Sequence, residues 1–317
     1  MAQDFSKLSL EEIRRRFLDD GHAISPRLLK QLQRDTRQGA RRAYEVLKRR
    51  YERKRGEWLR LDSMLNFERV LWKSGVCRIA GVDEVGIGPL AGPVVAAAVV
   101  FPPGAAIAGI DDSKRLDPER REALAAEIRA HASSIGIGLA SEAEIDTLNV
   151  YRAGLLAMQR AIDALPAAPE HVLTDARTVP QLAVPQNAFN KGDGINFSIA
   201  AASIIAKTHR DRLMQELDPC YAGYGFARHK GYGTAEHQHA IRALGPCAIH
   251  RMSFPVIREL CGEFSEMFYT LKQALERVHS ARELKVLEQE LEARCERLAE
   301  AERHKLRLVL ARRWKLL

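Results

Sequence analysis

Between Arg78 and Phe101 two short apolar runs, Ile79 to Val85 and Val94 to Phe101, flank the segment Gly86-Ile-Gly-Pro-Leu-Ala-Gly-Pro93. Glycine and proline at this density make the connection a turn, and the β-branched runs on either side read as strands. The pattern continues downstream. Glu119 to Ala132 reads as a helix and Ser134 to Ala140 as a strand. Ser141-x-x-Glu144 is a capping box that opens a helix running to about Ala164. Strands follow at His171 to Thr174 and near Ala183 to Asn190, then a long helix from Ser198 to Leu217. Strands alternating with helices predict an α/β domain built on a mixed sheet flanked by helices.

Both flanks are different in texture. Residues 8–73 read as helical: Leu10 to Phe17 is amphipathic behind the capping box Ser9-Leu-Glu-Glu12, and a second helix starts near Ser25-Pro26 and runs with interruptions to Trp58 and Leu61. Beyond Cys261, the residues Leu271, Leu275, Val278, Leu284, Leu287, Leu291 and Leu298 form an incomplete helical stripe, broken near Ala281 and Arg282. Three parts follow: a basic helical N-terminal extension (1–75), a central domain (76–256) and a helical, coiled-coil-like C-terminal extension (257–317).

Charge follows the same division. Residues 1–75 hold 19 Lys/Arg against 11 Asp/Glu, a net +8, whereas residues 76–256 hold 17 against 19 and residues 257–317 hold 13 against 11. A basic arm on a near-neutral centre fits a polyanion held by one part and processed by another; a solvated helical surface fits the same charge. No apolar run approaches the roughly 18–20 residues of a membrane span. The opening residues lack a signal-peptide core, and the five cysteines form no CxxC pair. A cytoplasmic protein with reduced thiols is the expectation.

Asp83 and Glu84 stand at the end of a strand that otherwise buries Ile79 and Val82. Carboxylates near a core are costly unless a cation or hydrogen bonds compensate them. Strand alternation points the two to opposite faces, and Gly86 and Gly88 give the backbone the freedom to depart from ideal geometry there. Asp175 follows the strand His171-Val-Leu-Thr174, and Asp193 lies in Lys191-Gly-Asp-Gly194, ahead of the helix at Ser198. Acids at element ends can converge on one sheet edge, and an all-oxygen ligand set suits hard cations such as Mg²⁺ or Mn²⁺.

Taken in order, these segments resemble the ribonuclease HII family, over roughly residues 78–256. The matching motifs are Gly81-Val-Asp-Glu-Val-Gly86, Gly88-Pro-Leu-Ala-Gly-Pro93, Asp112-Ser-Lys114, Glu144-Ile-Asp146, Leu173-Thr-Asp175, Lys191-Gly-Asp193, Ser198 to Ser203 with Ala206-Lys207, His229-Lys-Gly-Tyr-Gly-Thr234 and His250-Arg-Met-Ser-Phe254. The resemblance implies a ribonuclease H-like fold, with Asp83, Glu84, Asp175 and Asp193 as the catalytic, metal-binding acids. It further implies hydrolysis of the RNA strand of RNA–DNA hybrids and nicking of duplex DNA on the 5′ side of embedded ribonucleotides, leaving 5′-phosphate and 3′-hydroxyl ends. The glycine loop Gly86, Ile87, Gly88 and the ring of Tyr232 match the positions that read the ribose 2′-hydroxyl, the group that separates RNA from DNA. Lys114, Lys191, Lys207 and Lys230 are candidate phosphate contacts.

One residue departs from the family pattern. Arginine usually stands between the two glycines, where this chain has Ile87. The loop amides survive the change and a charged donor is lost, so weakened substrate binding is expected; a hybrid-binding module with reduced catalysis is the alternative function. For the extensions, the N-terminal arm fits either phosphate binding or a cover for the central domain. The segment 261–317 fits packing on the domain, self-association or a protein partner, and its last basic run, Arg303 to Lys315, fits contact with nucleic acid.

Overall fold

The computed structural model describes residues 8–317. Its centre is a five-stranded mixed sheet, β1 (Ile79–Val85), β2 (Val94–Val100), β3 (Ser134–Ala140), β4 (His171–Asp175) and β5 (Gln186–Phe189), in the order β3-β2-β1-β4-β5. The three strands on one side form an antiparallel meander, while β1 runs parallel to β4 and β4 parallel to β5. The parallel register pairs Val82 with Thr174 and Asp175 with Phe189. Asp83, two residues before the end of β1, and the strand ends at Asp175 and Phe189 therefore lie at one edge of the sheet, the carboxyl edge.

Helices cover both faces. The helix Val150–Asp163 packs with Ala80, Val82, Ala96 and Ala98 on one face, and the helix Phe197–Leu217 packs with Ala97 and Val99 on the other. The 21-residue helix Phe197–Leu217 is buried along most of its first half, because it carries Ile and Ala where a surface helix carries charge. The capping box at Ser141 is present, but the helix it opens ends at Leu148. Asn149 adopts a φ of 72°, and its side chain then accepts the Arg152 amide at 3.1 Å to start a second helix. The single helix expected from Ser141 to Ala164 is thus two, split at Asn149, whose φ of 72° with ψ of 158° is a strained combination that glycine alone adopts freely.

The extensions also resolve. The N-terminal helices Pro26–Arg34 and Gln38–Met64 are separated at Asp35–Arg37, and residues from Ile13 to Leu47 build a small core of their own. The far end of the second helix supplies Leu61, Met64 and Leu65 to the core beneath the sheet. The C-terminal stripe is divided among helices Glu266–Arg277, Ala281–Ala293 and Glu300–Trp314. Phe268, Leu271, Leu275, Leu284, Leu291, Leu306 and Leu310 face one another within this unit. The stripe, for which packing on the domain, self-association and a protein partner were all open, is spent among the C-terminal helices themselves, and the break near Ala281 is the turn between two of them. Among the described residues, no helix is long and apolar enough to cross a membrane.

Candidate active site

Asp83 and Glu84 keep the alternation of a regular strand. Asp83 follows Gly81 on the face of the helix Phe197–Leu217, where it hydrogen-bonds the Ser203 hydroxyl, itself 2.9 Å from that of Ser113. Glu84 points to the other face, its Cγ 3.7 Å from where a Cβ on Gly154 would sit. The departure from ideal geometry expected at this pair does not occur: Asp83 and Glu84 pair regularly with Ala97 and Ala96 of β2. The Glu84 amide donates to Asp83 Oδ1 at 2.8 Å.

Asp175 and Asp193 arrive from the parallel side. Directly after Asp175 the chain turns through Ala176 with φ 54°, and Lys191, two residues ahead of Asp193, has φ 59°. Left-handed backbone at non-glycine residues is strained and tends to persist where function requires it. Asp175 Oδ1 accepts the Gly192 amide at 2.7 Å, which ties the Asp193 turn to the end of β4. Asp193 is buried and receives Lys114 Nζ at 3.2 Å.

The four acids are electrostatic neighbours. Burial, then repulsion from Glu84, Asp175 and Asp193, raises the Asp83 pKa well above the usual carboxylate range, against the Ser203 hydrogen bond. Burial pushes Glu84 up to about 7, with Asp175 adding to it and Arg177 opposing it. Asp175 is raised by burial and by Asp193, despite the Gly192 amide. Partial burial works against the Lys114 charge, but its bond to Asp193 and the surrounding carboxylates outweigh this and raise its pKa. Such a site is short of positive charge, and a cation would lower all three raised values.

The donor set fits a hard divalent ion. All four residues offer carboxylate oxygens, and Glu84 Oε2 is buried with no hydrogen-bond partner among the described residues. As placed, however, no three His, Cys, Asp or Glu side chains among the described residues are grouped to hold an ion. Asp175 uses Oδ1 for the Gly192 amide and Asp193 uses Oδ2 for the Lys114 ammonium, which leaves each residue its other carboxylate oxygen to offer an ion.

The glycine loop lies beside these acids. Gly86 has φ 95°, and a Cβ there would fall 2.4 Å from Arg210 Nε. Arg251, fully buried, donates to the carbonyls of Gly86, Ile87, Pro89 and Gly92, and Arg210 to those of Ala91, Pro93 and Lys230. Burial and the nearby Arg210 push Arg251 down to about 9, which leaves it cationic at neutral pH. The segment holding Tyr232 docks on this loop: Leu90 donates to the Gly231 carbonyl at 2.8 Å, and the ring edge lies 4.0 Å from a Cβ built on Gly88. Tyr232 is exposed, with Lys207 Nζ 5.6 Å from its ring centroid. The Ile87 side chain packs on the apolar cluster next to Gly154.

The lysines separate. Lys114 joins the acids, and Lys191 is exposed beside Asp193. Lys207 pairs with Asp211 at 2.6 Å near Tyr232, and Lys230, with φ 52°, donates to the Ala227 carbonyl. Sequence reasoning gave no role to Arg177, Ser203, Arg210, Arg251 or Glu68. Arg210 is not singled out in sequence, and Arg251 enters only as part of the motif His250-Arg-Met-Ser-Phe254; the signal available was their placement in the helix after Ser203 and in that motif.

Comparison with known proteins gives a consistent picture. The family model described as Ribonuclease HII matches residues 80–257, and that described as Ribonuclease HII N-terminal domain matches residues 9–72. The chain is similar to a ribonuclease HII of Anaeromyxobacter sp., with 50% identity over 260 residues covering 82% of each chain. It is also similar to that of Geobacillus kaustophilus, with 53% identity over 228 residues covering 71% of this chain and 87% of the relative. Among solved structures, the ribonuclease H2 of Pyrococcus horikoshii is 25% identical and covers 59% of this chain and 98% of that one, with a TM-score of 0.48.

Proposed function

This chain belongs to the ribonuclease HII family, which makes it a metal-dependent endoribonuclease, and from that premise we propose that the carboxyl edge of the sheet is its catalytic centre. Asp83, Glu84, Asp175 and Asp193 hold the divalent ions, Mg²⁺ or Mn²⁺. The observation that carries this reading is the parallel register of β1 and β4, which brings Asp83 level with Asp175, next to a buried, unpartnered Glu84 oxygen. Bound divalent ions supply the charge stabilisation that both the attacking and the leaving oxygens of a phosphodiester need. The chain's own residues do the rest. Ser203 and the Glu84 amide orient Asp83, and the Gly192 amide orients Asp175.

The substrate is an RNA–DNA hybrid, or duplex DNA with an embedded ribonucleotide, cut on the 5′ side of the ribose to leave 5′-phosphate and 3′-hydroxyl. Gly86, Ile87 and Gly88 present backbone to the sugar, and Tyr232, exposed beside Gly88, packs against it. Lys114, Lys191, Lys207 and Lys230 stand for the phosphates, Lys114 after release from Asp193 and Lys207 after release from Asp211. Because Arg251 fixes the loop carbonyls, including that of Ile87, the isoleucine keeps the loop's shape and costs only the charged donor. The basic N-terminal extension adds phosphate contacts away from the chemistry.

The test is a labelled DNA duplex holding one ribonucleotide, incubated with Mg²⁺, with Mn²⁺ and with EDTA. A single metal-dependent nick 5′ to the ribonucleotide, with a ligatable 3′-hydroxyl, is expected. Ile87→Arg should lower KM about tenfold, by the worth of one charge-assisted hydrogen bond. Cleavage of uniform hybrid without any cut at the single ribonucleotide would remove that part of the proposal.

A further inference from the structure

The helix α1 (Asn66–Lys73), last of the N-terminal extension, turns a carboxylate inward. Glu68 is 0% exposed, and both of its oxygens are engaged. Oε1 accepts the Ser198 amide at 3.0 Å and the Ser198 hydroxyl at 2.8 Å, and Oε2 accepts Asn196 Nδ2 at 3.1 Å. The Ser198 amide belongs to the first turn of the helix α2 (Phe197–Leu217), where N–H groups lack intrahelical acceptors and the helix dipole favours an anion. Glu68 thus caps a helix that belongs to the catalytic domain.

The joint it grips connects two of the acids. Asn196 uses its other side-chain atom, Oδ1, to accept the Ile199 amide at 3.0 Å, and its own amide bonds the Gly192 carbonyl at 2.8 Å, closing the turn that contains Asp193. On the opposite side Ser198 lies so close to β1 that a Cβ on Gly81 would be 2.1 Å from the Ser198 carbonyl carbon, and Gly81 is two residues ahead of Asp83. Farther along α2, Ser203 bonds Asp83 itself.

We propose that Glu68 is a positioning residue for the metal centre: from the N-terminal extension it fixes the Asn196–Ser198 joint, so that Asp193 and Asp83 are held at a set separation. This role rests on the metal-site assignment made above. It makes the end of the extension part of the catalytic framework, in addition to any contact the extension makes with substrate. A glutamate that merely fastened the extension to the domain would leave metal affinity unchanged once the protein is folded.

The two are separated with full-length Glu68→Ala and Glu68→Gln, with Val70→Ser on the exposed side of α1 as control and Asp193→Asn as reference for the site. Mn²⁺ binding is measured by titration calorimetry without substrate, alongside kcat and KM on a uniform hybrid. Glu68→Ala should weaken Mn²⁺ binding and lower kcat by about tenfold, the usual consequence of loosening a group behind a metal ligand, with KM within about twofold. Glu68→Gln keeps an oxygen for Ser198 but turns an NH₂ toward Asn196, so it should show a smaller loss of the same kind. Wild-type Mn²⁺ affinity and kcat in folded Glu68→Ala, with Asp193→Asn inactive, would overturn the proposal. Unchanged Mn²⁺ binding in Asp193→Asn would instead overturn the metal-site assignment. Should the alanine variant fail to fold, Glu68→Gln decides: weakened Mn²⁺ binding supports the role, and wild-type binding overturns it.

Discussion

Each helical extension buries one glutamate against helix N-termini, and the two are used in opposite ways. Glu302, 4% exposed, accepts the amides of Ser265 and Ala299, which cap two helices of the C-terminal unit itself. Glu68 accepts from Asn196 and Ser198, outside its own extension. Apolar packing repeats the contrast. The C-terminal core contains only residues from Phe264 to Leu310, whereas Leu61, Met64 and Leu65 share a core with Ala97, Val99, Phe197 and Ile204. The C-terminal helices are tied by Lys272, Lys305 and the Tyr269 hydroxyl to Glu259 of the helix Pro255–Leu260, which itself packs on the domain through Val256, Ile257 and Leu260. One extension completes the catalytic domain; the other is a neighbour to it.

The largest expected effect breaks or upholds that contrast directly. Met64→Ala and Phe268→Ala each create a cavity in a buried core, a loss of about 2–5 kcal/mol. Calorimetry should show Met64→Ala lowering the main transition, and heat inactivation of hybrid cleavage should follow it. Phe268→Ala should melt the C-terminal unit alone and leave cleavage as it was. An equal shift of the main transition by both variants would mean that the C-terminal unit is integrated too.

A smaller effect sharpens the contrast in substrate binding. Arg42, Arg49 and Arg53 lie seven and four residues apart on one face of the helix Gln38–Met64, all exposed and without an ion pair among the described residues. Replacing the three by glutamine should reduce the log–log salt slope of hybrid binding by about 2–3, close to one unit per phosphate contact. The same change at Arg312 and Lys315 should leave the slope within experimental error. An altered slope only in the C-terminal variant would move the polyanion contact to that end.

The smallest effect is on pH dependence, and it has opposite signs at the two glutamates. At Glu68 burial dominates and raises the pKa above 4.5, so the folded state keeps a proton that the unfolded state has released. Stability should therefore decline as pH rises from 4.5 through the raised value. At Glu302 burial is outweighed by the amide bonds and the pKa falls below 4.5, so its contribution is present above 4.5 and lost as pH falls through the lowered value. Urea unfolding on either side of pH 4.5 should show Glu68→Gln removing the decline and Glu302→Gln removing the acid loss. Identical pH profiles for the two variants would contradict this.

Much of this was legible in the sequence, for local reasons. The runs at Ile79 and Ser134 gave their strands to the residue because glycine, proline and capping serines mark their ends. The four acids were singled out because charged residues at the ends of apolar strands stand out, and because the motif order is specific to a family; their role as metal ligands is the proposal made above. Glu68 was not found: in sequence it is one more charged residue in a helix rich in them, and its partners lie about 130 positions away. Arg210 and Arg251 escaped for the same reason, since a buried arginine is defined by carbonyls that only the folded loop collects. The C-terminal stripe was visible, but its partner was not, because an apolar face looks alike whether it meets its own chain or another.

The central claim is that the acids at the carboxyl edge form the metal centre that cleaves the RNA strand. It is tested most directly by the rate at which Asp83→Asn cleaves a uniform RNA–DNA hybrid at saturating Mn²⁺, with circular dichroism to establish the fold. The side chain stays the same size and loses the negative charge it would offer a bound ion, so cleavage should fall at least about a hundredfold while hybrid binding persists. A folded Asp83→Asn protein that cleaves at the wild-type rate would place the chemistry elsewhere.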